Sequence, residues 1–401
     1  MSVSTTLNGG LGAALIAALV ACAGPAGAAD DEIVFGTSVP LAGPLAQFGE
    51  VIRDGYKFAV EEINENGGVD IGGVRHKIKL VVLDNQGNPN QVAGQVRKLV
   101  QSEGAVVLLG AVTPVFNAPL STAADQLKVP LVMSLVPIDA WQDAREGGYK
   151  YAWDIYAHEP LATTVTWETA DMADTNKKIA IFANTDEDGE IWGKYWTEQA
   201  PEHGYEIVYT ANMPVGTTNF AEYINSAKDA DAEIALGQMV PPDAITLWKQ
   251  MKALGYKPKI ATREKCGSGD WWPGALGPVA EGTLTSDVWV RGLGGPEAEV
   301  VAQALGDTYK GKVLTGAILS HTVVNVVKDA IERAGSTDPD AINAEIAKTD
   351  GEYAIGPVKF TINHGAPLEP IMQQWQDGEA VMVYPVGGDS AELQVPAKGL
   401  Q

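Results

Sequence analysis

Few residue groupings in this chain carry chemistry at a usable spacing. After the apolar run Ile33-Val34-Phe35 comes a loop, GTSVPLAGPLAQFGEVIRDG (Gly36 to Gly55), that enters a helix through Phe48, Ile52, Tyr56 and Ala59. A strand, a glycine loop and a helix start are the parts of a phosphate cradle. Gly36, Gly43 and Gly49, however, match neither the dinucleotide fingerprint nor the Walker loop, and no acidic residue closes the unit as a dinucleotide site requires. GEIWGKY (Gly189 to Tyr195) fails similarly, one residue short and with Tyr195 where Ser or Thr must hold magnesium.

In NTDEDGE, Asn184, Asp186, Asp188 and Gly189 stand at EF-hand spacing, but Tyr195 replaces the bidentate Glu that closes a calcium loop. The competing reading is a strand-to-helix loop with Asp188 as N-cap and Glu190 in the first turn, favoured by the helix dipole. The five histidines (His76, His158, His203, His321, His364) show no zinc-protease spacing. CGSG around Ser268 is not a nucleophile elbow, and Cys266 has no partner. No catalytic, metal or cofactor site is therefore expected. Arg263-Glu264, at the end of an expected strand, reads either as a surface ion pair or as a clamp for a charged ligand group. Trp141, Trp153, Trp192, Trp271, Trp272 and Trp289 lie near expected loops or strand ends; most suit packing, and a few could wall a cavity.

The chain has 401 residues, 45% hydrophobic, enough for two domains with proper cores. Its net charge of −23 argues against nucleic acid or an anionic membrane surface as partner. The first 29 residues carry no charge and include LGAALIAALVACAGPAGAA, whose apolar core is too short to span a bilayer and leads into small residues, the pattern of an export signal. Cleavage after Ala26-Gly27-Ala28 would give a soluble periplasmic protein; the lipobox-like LVAC would instead make Cys22 a lipidated N-terminus. Either way Cys266 is left alone and no intrachain disulfide forms.

From Ile33 onward, short apolar runs alternate with amphipathic stretches. HKIKLVVLD, AVVLLG and VPLVMSL read as strands in a first series, and KIAIFAN, YEIVYTA, AEIALGQM and KPKIAT in a second, each separated by a helical pattern. This alternation predicts parallel sheets covered on both faces. A long helix is expected over Thr315 to Ala334, then strand-rich trimmings with a hairpin at Gln376-Asp377-Gly378-Glu379. A ligand is expected in the cleft between two such lobes, at the carboxyl ends of the strands.

VPLAGPLAQFGEVIRDGYKFAVEEINENGGVDIGG, VVLDNQGNPNQVAGQVRKLV and GPVKFTINHGAPLEPIMQQWQDGEAVMVYP together resemble the type I substrate-binding proteins of ABC importers, of the kind that bind leucine, isoleucine and valine; the resemblance runs from about Ile33 to Tyr384. It implies the type I periplasmic binding protein fold: α/β, two doubly wound parallel-sheet lobes joined by three hinge crossovers, near Trp153–Ala157, Thr285–Trp289 and Tyr353–Val358. On that pattern, residues 1–29 are the export signal, 30–155 with 288–355 the first lobe, and 156–287 with 356–401 the second.

Carried over residue by residue, the resemblance puts the family's cleft aromatic on Phe48 and its ammonium-binding acid on Glu264. The family's carboxylate-holding Ser falls on Pro114, with Thr113 adjacent. Its Ala/Thr pair falls on Val136 and Ile138, its second-lobe Tyr on Asp188, and the other cleft Tyr on Met239 or Val240. The expected cleft set is thus Phe48, Thr113, Val136, Ile138, Asp188, Met239, Arg263 and Glu264. Hydroxyls that grip a zwitterion have become apolar or acidic, and a buried carboxylate without donors is unfavourable by several kcal/mol. This argues against an ordinary branched-chain amino acid and leaves open an aromatic acid on Arg263, or an amine, amide or quaternary ammonium on Asp188, Glu264 and Trp faces. The resemblance implies a monomeric, non-enzymatic receptor that hands its solute to permease and ATPase subunits. A sensor for a signalling partner and a hydrolase are the two rival readings.

Overall fold

The computed structural model describes residues 32–264, 269, 271–309, 314–388 and 390–401. The expected export signal with Cys22, and Cys266 and Ser268 of the CGSG segment, lie outside the described residues.

The first series of elements is β1 (Ile33–Val39), α1 (Ala46–Glu65), the hairpin β2 (Val69–Ile71) and β3 (Val74–His76), β4 (Ile78–Asp84), α2 (Val92–Gln101), β5 (Ala105–Leu109), α3 (Thr113–Leu127), β6 (Leu131–Met133), α4 (Ile138–Gln142) and β7 (Ala152–Tyr156). The second is α5 (Glu159–Ala170), β8 (Lys178–Asn184), α6 (Glu187–Gln199), β9 (Glu206–Met213), α7 (Ala221–Asp229), β10 (Ile234–Gln238), α8 (Pro241–Leu254), β11 (Ile260–Arg263), α9 (Trp271–Leu276) and β12 (Leu284–Asp287). The chain then forms α10 (Pro296–Tyr309), α11 (Leu314–Ala334), α12 (Pro339–Ile346), the hairpin β13 (Asp350–Tyr353) and β14 (Gly356–Lys359), β15 (Gly365–Pro367), β16 (Ile371–Gln376) and β17 (Glu379–Tyr384).

The strands form two main sheets, ordered β15-β7-β6-β5-β1-β4 and β17-β16-β12-β11-β10-β8-β9. Each is doubly wound. β1 pairs in parallel with both β4 and β5, and β10 pairs in parallel with β8 and β11. The continuous apolar runs follow from this: β8 and β10 are buried along almost their whole length because helices cover both faces. β16 and β17 extend the second sheet antiparallel, joined by the expected hairpin, with Gln376 paired to Glu379 and positive φ at both Asp377 (52°) and Gly378 (85°). That is a type I′ turn, whose twist matches the strands it joins.

α11 returns to the first lobe and packs lengthwise on α1. Most of α11 is buried, and Gly55 of α1 permits the close approach: a Cβ there would lie 2.7 Å from the Ser320 Cβ. Two expectations need correction. Tyr353–Val358 is no crossover but the β13–β14 hairpin, in which Tyr353 faces Gly356. Nor do residues from 356 onward all belong to the second lobe, because β15 pairs with β7 in the first sheet, Gly365 opposite Asp154. The chain returns to the second sheet only between β15 and β16, through residues 368–370. A short three-residue strand carries too little alternation to be distinguished from the loop around it.

The helix cap at the acidic loop also differs. Asp186, not Asp188, caps α6, its Oδ1 accepting from the Gly189 N–H at 2.9 Å. Gly189 must be glycine for contact reasons, since a Cβ there would sit 1.9 Å from the Asn184 carbonyl oxygen. Gly189→Ala should therefore displace the first turn of α6 and cost about 1–3 kcal/mol, read as a lower chemical-denaturation midpoint at unchanged slope. A neutral substitution would show that this turn is looser than its contacts imply.

Candidate functional site

In a parallel sheet, every strand delivers its following loop to the same edge, and here those edges face each other. A cavity opens between them with an empty volume of about 760 Å³, its mouth included. The first lobe supplies Phe48 from the start of α1, Val112 and Thr113 after β5, Leu135 and Pro137 after β6, and Tyr156 and Ala157 at the end of β7. The second supplies Asp188 and Trp192 of α6, Gln238 at the end of β10, Glu264 after β11, and Ser286, Asp287 and Val288 around the end of β12. Thr315 and Pro370 complete the wall from the two later connections.

Four of the eight expected cleft residues line this cavity: Phe48, Thr113, Asp188 and Glu264. The other four do not, each for a packing reason. Val136 and Ile138 are fully buried in the first lobe, with the Ile138 methyl carbons pressed toward Gly365, and their neighbours Leu135 and Pro137 face the cavity instead. Met239 packs in the second lobe's hydrophobic cluster with Phe182 and Trp248, and Gln238 takes the cavity position. Arg263 is a β11 strand residue whose guanidinium carbon lies 4.3 Å and 4.8 Å from the ring centres of Trp271 and Trp272. Its charge is thereby held by aromatic faces inside the lobe rather than offered to a ligand.

Of the tryptophans that the sequence offered as cavity walls Trp192 lines the cavity, Ser286 and Asp287 were missed, and all three follow from geometry. Trp192 stands one helical turn beyond Asp188, so the i,i+4 rule places both on one face of α6. Ser286 and Asp287 carried no motif, and only the pairing of β12 between β11 and β16 brings them to the cavity edge.

Glu264 is the chemical centre of the site. It is buried, and its Oε2 accepts from the Ser286 amide at 2.8 Å and the Ser286 hydroxyl at 2.6 Å. Its Oε1 is buried with no hydrogen-bond partner among the described residues. Burial pushes its pKa up to about 7, with the Ser286 hydrogen bonds, the Thr262 side chain and nearby Arg263 opposing that rise. Across the cavity, Thr113 sits at φ 55°, a backbone conformation unfavourable for a β-branched residue, and its hydroxyl is also without a partner among the described residues. Leu135, whose carbonyl accepts from the Thr113 amide at 3.1 Å, has φ 57°. Two strained residues on neighbouring cavity-lining segments mark a conformation maintained by its surroundings. Asp287 is more conventionally satisfied, accepting from the Val288 amide at 2.7 Å and the Thr315 hydroxyl at 3.2 Å.

Beside the cavity, polar groups bind the lobes to each other. Glu159, at the start of α5, accepts from the Asp139 and Ala140 amides of α4 at 2.8 Å and 2.7 Å. The Tyr195 hydroxyl of α6 donates to Asp139, whose other oxygen lies 3.3 Å from His158 Nε2. Burial pulls Asp139 upward, yet the His158 and Tyr195 contacts outweigh it and hold this carboxyl below its ordinary value. Glu159, more deeply buried, is pushed up to about 8.

A sequence profile of the periplasmic binding protein family matches residues 32–379. The chain belongs to that family. Its fold and family are those of solute-binding proteins, and it is a ligand-binding receptor with its site between two lobes. Among relatives, Leu/Ile/Val-binding protein homolog 7 of Brucella melitensis is 26% identical over 411 residues, covering 95% of this chain and 98% of that one. Homolog 3 from the same organism is 27% identical over 373 residues, covering 91% and 97%. Two solved structures share the fold, each with a TM-score of 0.77. The leucine-binding protein LivK of Thermotoga maritima is 18% identical, over 87% of this chain and 97% of that one. LivJ of Streptococcus pneumoniae, solved in complex with isoleucine, is 20% identical, over 91% and 100%.

Two outcomes follow from the electrostatics. The folded protein binds the Glu264 and Glu159 protons more tightly than the unfolded chain does, so both stabilise it below about pH 4.5, an advantage lost as pH rises through about 7 and about 8. Ligand-free protein should consequently melt higher at pH 5 than at pH 8, and Glu264→Gln should narrow that difference; an unchanged gap would mean that Glu264 is solvated. Tyr195→Phe, which leaves the cavity wall intact, should weaken ligand binding by about three- to tenfold through loss of one charge-assisted hydrogen bond in the closed form. Calorimetric titration of the two proteins would measure it, and equal affinities would exclude a role in closure.

Proposed function

We propose that this chain captures a small organic solute bearing an amino group outside the cytoplasm, closes its lobes over it, and delivers it to the permease of an ABC importer. The observation that carries this reading is Glu264: a buried carboxylate, fixed on one side by Ser286, with its other oxygen unpartnered at the wall of the interlobe cavity. Such a group is unfavourable alone in the closed protein and becomes favourable when an ammonium donates to it. Phe48, Leu135, Pro137 and Trp192 supply apolar surface for the rest of the solute.

The mechanism is a population shift. Phe48 and Thr113 come from one lobe, Asp188 and Glu264 from the other, so a ligand touching both binds the closed arrangement more tightly than the open one. The lobe-to-lobe contacts of Glu159 and Tyr195 with α4 add to that preference without touching the solute. The residues assigned here bind and orient; none is asked to make or break a bond, and ATP hydrolysis belongs to partner subunits. Leu/Ile/Val binding in the names of relatives and branched-chain amino acid transport in those of similar solved structures support the transport role. Among the described residues no helix is long and apolar enough to cross a membrane. The uncharged leader, with its Ala28 and Cys22 processing options, supports export.

Binding should be proton-linked. Near pH 6 Glu264 is largely protonated in the free closed site, and an ammonium ligand would ionise it, so binding should release roughly one proton. At pH 8.5 the release should vanish. Titration calorimetry in buffers of differing ionisation enthalpy measures this, and zero release at pH 6 by a tightly bound amine would remove Glu264 from the role given to it.

A further inference from the structure

We infer that the solute is a small apolar cation without a free carboxylate: an amine, or an amino compound whose acid end is masked as an amide. This rests on the receptor reading above and narrows its ligand class. Three acids line the cavity, Asp188, Glu264 and Asp287, each from a different element, and no Lys, Arg or His does so among the described residues. Arg263, the cation expected to hold an acid, is turned onto Trp271 and Trp272.

A zwitterion's carboxylate needs donors, and six of the backbone amides around the cavity are already engaged. The Ala111 amide donates to the Asn117 side chain at 2.9 Å and the Thr113 amide to Leu135 O at 3.1 Å. Pro114, the second residue of α3, has no N–H, so that helix start lacks a donor where an anion would sit. The first amides of α4, Asp139 and Ala140, are filled by the chain's own Glu159 carboxylate. On the other lobe, the Ser286 amide is held by Glu264 and the Val288 amide by Asp287. Two of the cavity hydroxyls, Ser286 and Thr315, also donate to those acids.

Among the described residues the other polar side chains at the wall, Thr113, Tyr156 and Gln238, are neutral and face three acids across a cavity partly walled by rings. The same inventory suits a cation. Glu264 Oε1 accepts its N–H, Phe48 and Trp192 offer ring surface, and the Thr113 hydroxyl can donate to one neutral carbonyl. Thus the site has an acceptor for an ammonium and a donor for an amide oxygen but, among the described residues, no charged partner for a carboxylate.

The test is a matched series titrated calorimetrically into the purified protein: L-leucine, L-leucinamide, 3-methylbutylamine and 4-methylpentanoate, with the corresponding phenylalanine set. The amide or amine should bind at least about tenfold tighter than its parent amino acid, and the acid should not bind. Glu264→Gln, checked for an intact fold by circular dichroism, should weaken the amine at least about thirtyfold. If the amino acid binds as tightly as its amide or more so, or if the acid binds, the cation assignment is overturned. Sensitivity of that amino-acid binding to Glu264→Gln would leave the receptor reading standing. Failure of every member of both sets to bind would overturn both.

Discussion

A parallel sheet sends the carboxyl end of every strand out through one edge, and this constraint organises the rest of the molecule. Two such sheets, each wound outward from a central switch point, place eight or so loops face to face once three connections hold the sheets together. The cavity is what those loops enclose. Its walls are loop residues, helix starts and strand ends, whereas the bodies of central strands such as β8 and β10 are committed to burial on both faces. That division of labour explains how site chemistry can vary on a rigid scaffold.

The chemistry placed on the scaffold is anionic. Burying Glu264 with one oxygen unsatisfied raises its pKa and costs stability at neutral pH, and the Ser286 contacts offset only part of that cost. Strain at Thr113 and Leu135 is a second local cost at the same cavity. Such costs are tolerated where a ligand relieves them, and relief available only in the closed form also drives closure. The Glu159 and Tyr195 contacts with α4 keep the opposing lobes in register beside the site, so that closure need not rely on the solute alone.

How much of this could be read beforehand varies residue by residue. Long apolar runs such as KIAIFAN and AEIALGQM showed themselves as strands because doubly covered strands tolerate little polarity. The I′ hairpin at Asp377-Gly378 declared itself through residues that accept positive φ. β15 stayed hidden, since three residues of strand hold no period, and with it the true place of the last connection. Phe48 and Glu264, carried over from the family resemblance, line the cavity. Val136 and Ile138 were misplaced by one residue, enough to exchange a core side chain for a cavity one at Leu135 and Pro137.

By itself, then, the sequence determined the layered α/β architecture, the acidity and the absence of recognisable catalytic motifs, because these depend on composition and on periodicities spanning many residues. Only the tertiary structure decided which charges line the cavity. Arg263 and Glu264 are neighbours in the chain, yet one is turned onto a tryptophan pair and the other lines the cavity. Asp287, Trp192 and Ser286 join Glu264 from other elements. The physical reason is directional: consecutive side chains at a strand's end point to opposite sides, and which side faces a ligand depends on packing contributed by segments far away in sequence.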